Sequence, residues 1–473
     1  MVMQTHRRRT KTASLIPPAA RPGRIPAYLE LAAELEAAIR SGSLAPGSRL
    51  PAQRDLAKER GINLSTVSRA YAELKTRKLA LGSTKRGTIV MHPPDGAQWP
   101  AIHSEAQGLI DLTVNRPAVP DYLAQLQRAL PRLAADPRFR EMQEYQPPAG
   151  AHWARAAGAK WIALNGFSPS PEDVVVTSGA QHALLAILSS IIKPGDIVAA
   201  DRLTYYGLRA LAQMLSFEIL GLGSDAEGLS ASELDTACRK RPIKALFTVP
   251  VFQNPMVVTM SEARRHEIAR LGDKHDFTII EDDVYGPMQA RRPPAIVTLR
   301  PERTFHISAL SKALAPGLRV GYLLAPPSQA ARMAEAVQTT AWMPAPLPVL
   351  VATKWIEDGT ADAILAAQLA ELRERHRLTK SLLHGARFNA DERCMFIWLF
   401  VPSPWRLEDF TSVLLQRGVK VMPASAFVTG RDPVEHAVRI NLACASSRDE
   451  LAAALTVVAQ TLQEKPRSAF GMA

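Results

Sequence analysis

From Ile110 onward the chain alternates helical stretches with short, almost wholly apolar runs: DVVVTS (173–178), DIVAAD (196–201), KALFTVP (244–250), FTIIEDD (277–283), TFHIS (304–308) and VGYLLA (320–325). A strand that is apolar on both sides needs cover on both faces of its sheet, and the intervening helices supply it. Such alternation predicts an α/β domain with a mainly parallel sheet flanked by helices. The last hundred or so residues change character. A charged helix, AAQLAELRERHRL, is followed by FIWLFV and a closing helix, which predicts a smaller α+β subdomain over about 360–473. At 473 residues, 47% of them hydrophobic, the chain is too long for one ordinary domain and too apolar for a disordered one.

Charge divides the chain differently. Residues 1–90 hold 17 Lys and Arg against 6 Asp and Glu, whereas the remaining 383 hold 40 against 39. A small basic domain beside a large neutral one is the pattern expected when one end meets a polyanion, although a solvated basic surface gives the same count. Residues 1–24 contain RRR and a PP pair without periodicity and read as a flexible basic arm; residues 91–109, MHPPDGAQWPAIHSEAQGL, read as a linker. No apolar run is long enough for a membrane span, and Thr12–Leu15 is too short for the core of a signal peptide. Three scattered cysteines fit neither a metal site nor a disulfide framework, so a cytoplasmic location and no metal are expected.

Between the arm and the linker, three helices and a hairpin are predicted. Apolar residues recur at helical spacing from Ile25 to about Arg40; a second helix covers 52–60; Gly61–Leu64 turns the chain; a third helix follows Ser65 to about Lys78. Leu79–Val90 reads as two short strands. This is the winged helix-turn-helix plan, which sets its third helix in the major groove of DNA. Ser65 is the expected cap of that helix, with Thr66 and Arg69 on its first turns, where side chains reach phosphates or base edges. Lys85, Arg86 and Gly87 form the tip of the wing. LAPGSRLPAQRDLA, NLSTVSRAYAEL and Gly87-Thr88 resemble the corresponding segments of the GntR family of regulators. The resemblance implies double-stranded DNA as partner and adds Arg54 as a phosphate contact.

In the large domain the most specific motif is Ser311-Lys312-Ala313-Leu314-Ala315-Pro316-Gly317-Leu318-Arg319, after the strand TFHIS. It resembles the Schiff-base segment of fold type I pyridoxal-phosphate enzymes, which implies pyridoxal 5'-phosphate (PLP) as cofactor, Lys312 as its Schiff-base lysine, and Ser311 and Arg319 as phosphate grips. Ser178-Gly179-Ala180-Gln181, at a strand-to-helix turn, suits a phosphate cradle. The same resemblance implies that Tyr205 stacks on the pyridine ring, that Asn254 and Tyr285 reach its phenolic oxygen, and that Asp282 pairs with its nitrogen. It also implies that Tyr145 touches the phosphate across a dimer interface and that Arg439 clamps an effector or substrate carboxylate. Taken one by one, these residues also suit turns, core or ordinary ion pairs.

Several positions depart from the family pattern. Ala309 stands where a phosphate-binding hydroxyl is usual, so that contact is expected to be lost or supplied by Ser308. Met256 and Val257 follow Asn254-Pro255 in place of Thr-Gly, and Trp153 and Ala156 replace a usual Leu-Arg pair. From about Ile25 to about Gln463 the whole resembles the MocR subgroup of GntR regulators: a winged helix-turn-helix fused to a fold type I aminotransferase-like domain. The resemblance implies a transcription regulator, a head-to-tail homodimer, in which PLP and an amino acid, amine or vitamin B6 form adjust DNA binding. A working aminotransferase that carries a DNA-binding head, and a purely structural dimeric DNA binder with an empty pocket, remain open alternatives.

Overall fold

The computed structural model describes residues 26–40, 44, 50–77, 79–83, 87–90, 108–118, 122–289, 292–430 and 435–464. The chain divides into two compact units, Met1–Asp95 and Gly96–Ala473.

The first unit holds helices α1 (Ala27–Arg40), α2 (Gln53–Arg60) and α3 (Leu64–Thr76) and an antiparallel hairpin of β1 (Ala80–Ser83) and β2 (Gly87–Val90). Leu31, Ala32, Leu35 and Ile39 make one face of α1 and are buried with Leu56 and Ala57 of α2 and Val67, Ala70, Tyr71 and Leu74 of α3. That i, i+3, i+4 spacing is why α1 lies on this core. Gly61 closes α2 in the left-handed conformation, with φ 62°, which a glycine adopts without a Cβ penalty. The third helix begins two residues earlier than the sequence suggests. Asn63, in extended backbone at φ −68° and ψ 141°, is its cap and accepts the Ser65 N–H. Ser65 is therefore the second helical residue, its hydroxyl 3.0 Å from Asn63 Oδ1, and not the cap. Asn and Ser cap about equally well, so the backbone geometry decides between them.

The second unit opens with β3 (Ile110–Asp111), α4 (Tyr122–Ala134) and α5 (His152–Ala163). Then β4 (Val174–Thr177), α6 (Ala180–Ile191), β5 (Ile197–Asp201), α7 (Tyr206–Leu215) and β6 (Glu218–Leu222) alternate. A small antiparallel pair, β7 (Ser224–Asp225) and β8 (Gly228–Leu229), precedes β9 (Ile243–Thr248), β10 (Thr278–Asp282), β11 (Thr304–Ala309) and β12 (Gly321–Leu324). The main sheet has seven strands in the order β4-β12-β11-β10-β9-β5-β6. Only β12 runs against the others, pairing antiparallel with both β11 and β4. Every residue of β4, β5, β11 and β12 is buried, as two covered faces require.

The C-terminal part carries β13 (Phe388–Asn389), β14 (Phe396–Phe400), β15 (Val419–Lys420), β16 (Met422–Pro423) and β17 (Ala437–Asn441). Four of these form the sheet β13-β14-β17-β16, which belongs with helices Thr360–Leu382 and Arg448–Gln463. The fifth, β15, pairs in parallel with β3, so the start of the second unit is tied to its end. Among the described residues no helix is long and apolar enough to cross a membrane.

Candidate functional site

The chemistry-bearing residues gather at the C-terminal ends of the parallel strands, where open α/β sheets bind ligands. Asp282 is the last residue of β10; Lys312 lies in the single turn Leu310–Ala313 just after β11. Thr177 ends β4, and Ser178 and Gly179 lead into α6, which has no side-chain cap and so leaves its first N–H groups to a ligand. Arg319 reaches this turn from the loop before β12. One guanidinium nitrogen is 3.3 Å from Ser311 Oγ and the other donates to the Ser178 carbonyl at 3.3 Å. A Cβ at Gly179, whose φ is 87°, would lie 2.7 Å from Arg319 Nη2. Bare backbone, a hydroxyl and a guanidinium thus share one cradle of phosphate-binding character.

Lys312 is half-buried, with its amine 2.9 Å from the Asn115 carbonyl. Burial first, and then the Arg439 and Arg319 charges, lower the amine to about 8, which eases the loss of its proton. Asp282 is 6% exposed and pushed up to about 7, by burial first and by the adjacent Asp283 next. Its Oδ1 is buried without a hydrogen-bond partner. An orphaned carboxylate oxygen at the floor of the site fits a cationic ring N–H, and the cradle fits a phosphate. The residues present therefore match the donor set that PLP requires.

Tyr205 ends the loop before α7, tilted at 48° against Tyr206 with ring centroids 5.0 Å apart. Gly207 lets the Tyr205 ring and the Gln181 amide lie directly against its backbone, since a Cβ there would fall 2.3 Å from Tyr205 and 2.5 Å from Gln181 Oε1. Asn254 Oδ1 accepts from Arg439 at 2.7 Å, and the second Arg439 nitrogen donates to the Thr113 carbonyl at 2.5 Å. Arg439 is 1% exposed and its Nε has no partner. The Tyr285 hydroxyl accepts from Asn115 Nδ2 at 2.9 Å.

Not every expected residue joins the cluster. Tyr145 is 78% exposed, its ring edge-on to Trp342 at 5.7 Å. Ser308 does not replace the hydroxyl missing at Ala309. Neighbours on a strand point to opposite faces, so Ser308 shares the side of His306, and its buried hydroxyl has no partner. Ser178 offers less than expected, because its N–H donates to His182 Nδ1 at 3.0 Å. Residues that the sequence did not single out also enter: Thr113, Asn115, His182 and Asn441. Asn115 lies 197 positions from Lys312 in a stretch without periodicity, so no local pattern marks it.

In the head, Arg54 and Ser65 are exposed and Thr66 is half-buried. Arg69 is exposed but lies with its guanidinium 4.0 Å from the centre of the Tyr28 ring, a cation–π contact. Ser68 donates to Gln53 at 2.7 Å and Tyr71 to the Pro51 carbonyl at 2.8 Å, which locks α3 to the start of α2. Gly87 opens β2; Lys85 and Arg86 lie outside the described residues. Among the described residues no group of three His, Cys, Asp or Glu side chains could hold a metal ion.

Residues 27–90 match the family of bacterial regulatory proteins, gntR family, and residues 107–458 match aminotransferase class I and II. The chain is 28% identical over 439 residues to the HTH-type transcriptional regulator YdeF of Bacillus subtilis, covering 93% of this chain and 95% of that protein. It is 30% identical to the HTH-type regulator YjiR of Escherichia coli, over 63% of this chain and 68% of that one. Among solved structures, the kynurenine aminotransferase of Pyrococcus horikoshii superposes with a TM-score of 0.69 at 25% identity, over 76% of this chain and 92% of that chain. GntR regulators bind DNA, and class I aminotransferases use PLP. The chain thus belongs to the aminotransferase class I and II family and, by its gntR-type head, to the MocR-like regulators that join the two domains.

Proposed function

We propose that this protein is a DNA-binding transcription regulator whose aminotransferase-like domain holds PLP and senses an amino acid, an amine or a vitamin B6 form. One observation carries the cofactor reading: an unpartnered, buried Asp282 oxygen lies in the same site as a lysine whose amine is lowered to about 8. In a chain with a gntR-type head, that site serves control of transcription. We divide the chain into a basic arm (1–24), a head (25–90), a linker (91–109) and the cofactor domain (110–473), with its small subdomain from about 360.

The phosphate would be held by Ser178, Gly179, Ala180, Gln181, Ser311 and Arg319. Tyr205 would cover the ring face, Asp282 would keep the ring nitrogen protonated, and Asn254 and Tyr285 would direct hydrogen bonds to the phenolic oxygen. Bound to Lys312, the cofactor supplies an aldehyde carbon that exchanges amines and a ring that withdraws electrons. Arg439 would take an effector carboxylate in bidentate fashion, and to do so it must exchange the Asn254 and Thr113 oxygens it now holds. That exchange makes the site differ between bound and free states, which a ligand needs in order to shift a conformational equilibrium. The exposed Tyr145 is available to a second copy in a head-to-tail homodimer. In the head, Arg54, Ser65, Thr66, Arg69, Lys85, Arg86 and Gly87 would meet phosphates and base edges.

The test is spectroscopic. Purified protein supplied with PLP should gain a visible absorbance band that Lys312→Ala removes; a chain that stays colourless with excess PLP overturns the reading. The presence of Lys312, Asp282, Asn254, Tyr285, Arg319 and Arg439 in one site favours a second reading, an active aminotransferase with a DNA-binding head. Steady-state turnover of amino donors with keto acids would establish that reading.

A further inference from the structure

The segment Leu112–Arg116 crosses the candidate site as a strap. Its neighbour β3 pairs with β15 in the C-terminal part, and Arg439 donates to its Thr113 carbonyl. Cys444 and Arg116 add hydrogen bonds between the strap and the chain after β17. At its centre Asn115 makes three contacts with three separate parts of the site. Its carbonyl accepts from Lys312 Nζ at 2.9 Å, its Nδ2 donates to the Tyr285 hydroxyl at 2.9 Å, and its Oδ1 accepts from Asn441 Nδ2 at 2.6 Å. Both ends of its amide are therefore engaged, which leaves the side chain one orientation.

We infer that Asn115 is a positioning residue of the cofactor site: its carbonyl orients the Lys312 amine, and its amide turns the Tyr285 hydroxyl toward the cofactor while linking it to Asn441. The inference rests on the reading that PLP binds here. A hydroxyl that accepts a hydrogen bond becomes a stronger donor through its own proton, since chained hydrogen bonds polarise one another. With the Asn115 N–H on its oxygen, Tyr285 has its proton free for the phenolic oxygen of the cofactor. The other groups acting on Tyr285 are Arg439, Cys394 and Asp282; those acting on Lys312 are Arg439, Arg319, Asp282 and Cys444. None of these bonds the Tyr285 oxygen, so Asn115 is the direct lever on it.

The experiment follows the pH midpoint of the visible band in the full chain reconstituted with PLP. A weaker donor at the phenolic oxygen leaves the chromophore more basic. Asn115→Ala should thus raise the midpoint by about half a unit to one unit, the size of one neutral hydrogen bond. Tyr285→Phe should raise it too, and Asn115→Ala should add nothing in the Tyr285→Phe background. The similarly branched Asn115→Leu gives the same readout if the alanine variant does not fold. An unmoved midpoint, a shift that persists undiminished without the tyrosine hydroxyl, or loss of the band in both Asn115 variants would overturn the role. A wild-type chain that gains no band fails differently, because it removes the cofactor reading itself.

Discussion

Asp282 and Lys312 face opposite titration problems in one buried site. The folded state of the cofactor-free chain holds Asp282 protonated up to about 7, whereas an unfolded chain releases that proton near 3.8. The folded state binds the extra proton, so this group's contribution to stability is full at low pH and is lost as pH rises through that window. Lys312 works the other way. The unfolded chain keeps its proton to about 10.5 and the folded chain only to about 8, so stability from this group grows as pH rises between them. Thermal unfolding of the cofactor-free protein across pH should show the loss between about 4 and 7, and Asp282→Asn should flatten it. The same variant should bind PLP weakly, because a neutral amide does not keep the ring nitrogen protonated. A residue-scale surprise lies in the head, where Arg69 rests on Tyr28 instead of standing free. Contact with DNA would exchange that stacking for a phosphate or a base edge.

Among the elements, the turn between β4 and α6 carries the sharpest demand. Gly179 has a φ of 87°, and any Cβ there would press on Arg319 at 2.7 Å. Gly179→Ala should lower PLP affinity by about tenfold or more, since strain of about 1–3 kcal/mol falls on the cradle itself. A PLP titration followed by absorbance reads this, and circular dichroism should show the sheet intact. In the head, the start of α3 depends on Asn63. Asn63→Ala removes the bond to the Ser65 N–H and should destabilise the head by about 1 kcal/mol, which thermal unfolding of the full chain would report in its head transition. Ser65→Ala should cost less, because its hydroxyl only accompanies the cap. The order of these two effects tests which residue starts the helix.

At the scale of the whole molecule, two families are joined in one chain, and the proposed division of labour is separable by mutation. Arg69→Ala should weaken DNA binding by about tenfold while leaving the visible band alone. Lys312→Ala should abolish the band and the response to ligand while DNA binding persists. Gel-shift and absorbance measurements on both variants decide the matter, and loss of both properties in both variants would refute the division. DNA affinity should also fall steeply with salt, and each phosphate-contacting Lys or Arg removed should lessen the slope by about one. The strap at Leu112–Arg116 continues, through the chain's own connectivity, into the residues that lead back to the head. An effector that frees Arg439 from the Thr113 carbonyl would therefore release one of the bonds that hold the strap.

Periodicity and spacing alone placed the winged helix-turn-helix elements and six strands of the large domain, whereas the motifs around Lys312, Asp282, Gly179 and Arg319 were legible through a family resemblance, each lying within a few residues of a strand end. A strand end is a local event, written in a short stretch of chain, and an open sheet gathers such ends along one edge. Choices between near-equal local options were not legible: Asn63 over Ser65 as cap, and β12 as the one reversed strand, each turned on how neighbouring elements packed. Nor could the sequence show Ser308 facing away from the cradle, or Arg439 closed on Asn254 and Thr113. Asn115 is the clearest case. Its partners lie at positions 285, 312 and 441, and only the folding of distant segments onto one site gives an unpatterned residue three roles. Such contacts depend on packing across long sequence separations, where a hydrogen bond depends on distance in space and leaves no trace in spacing along the chain.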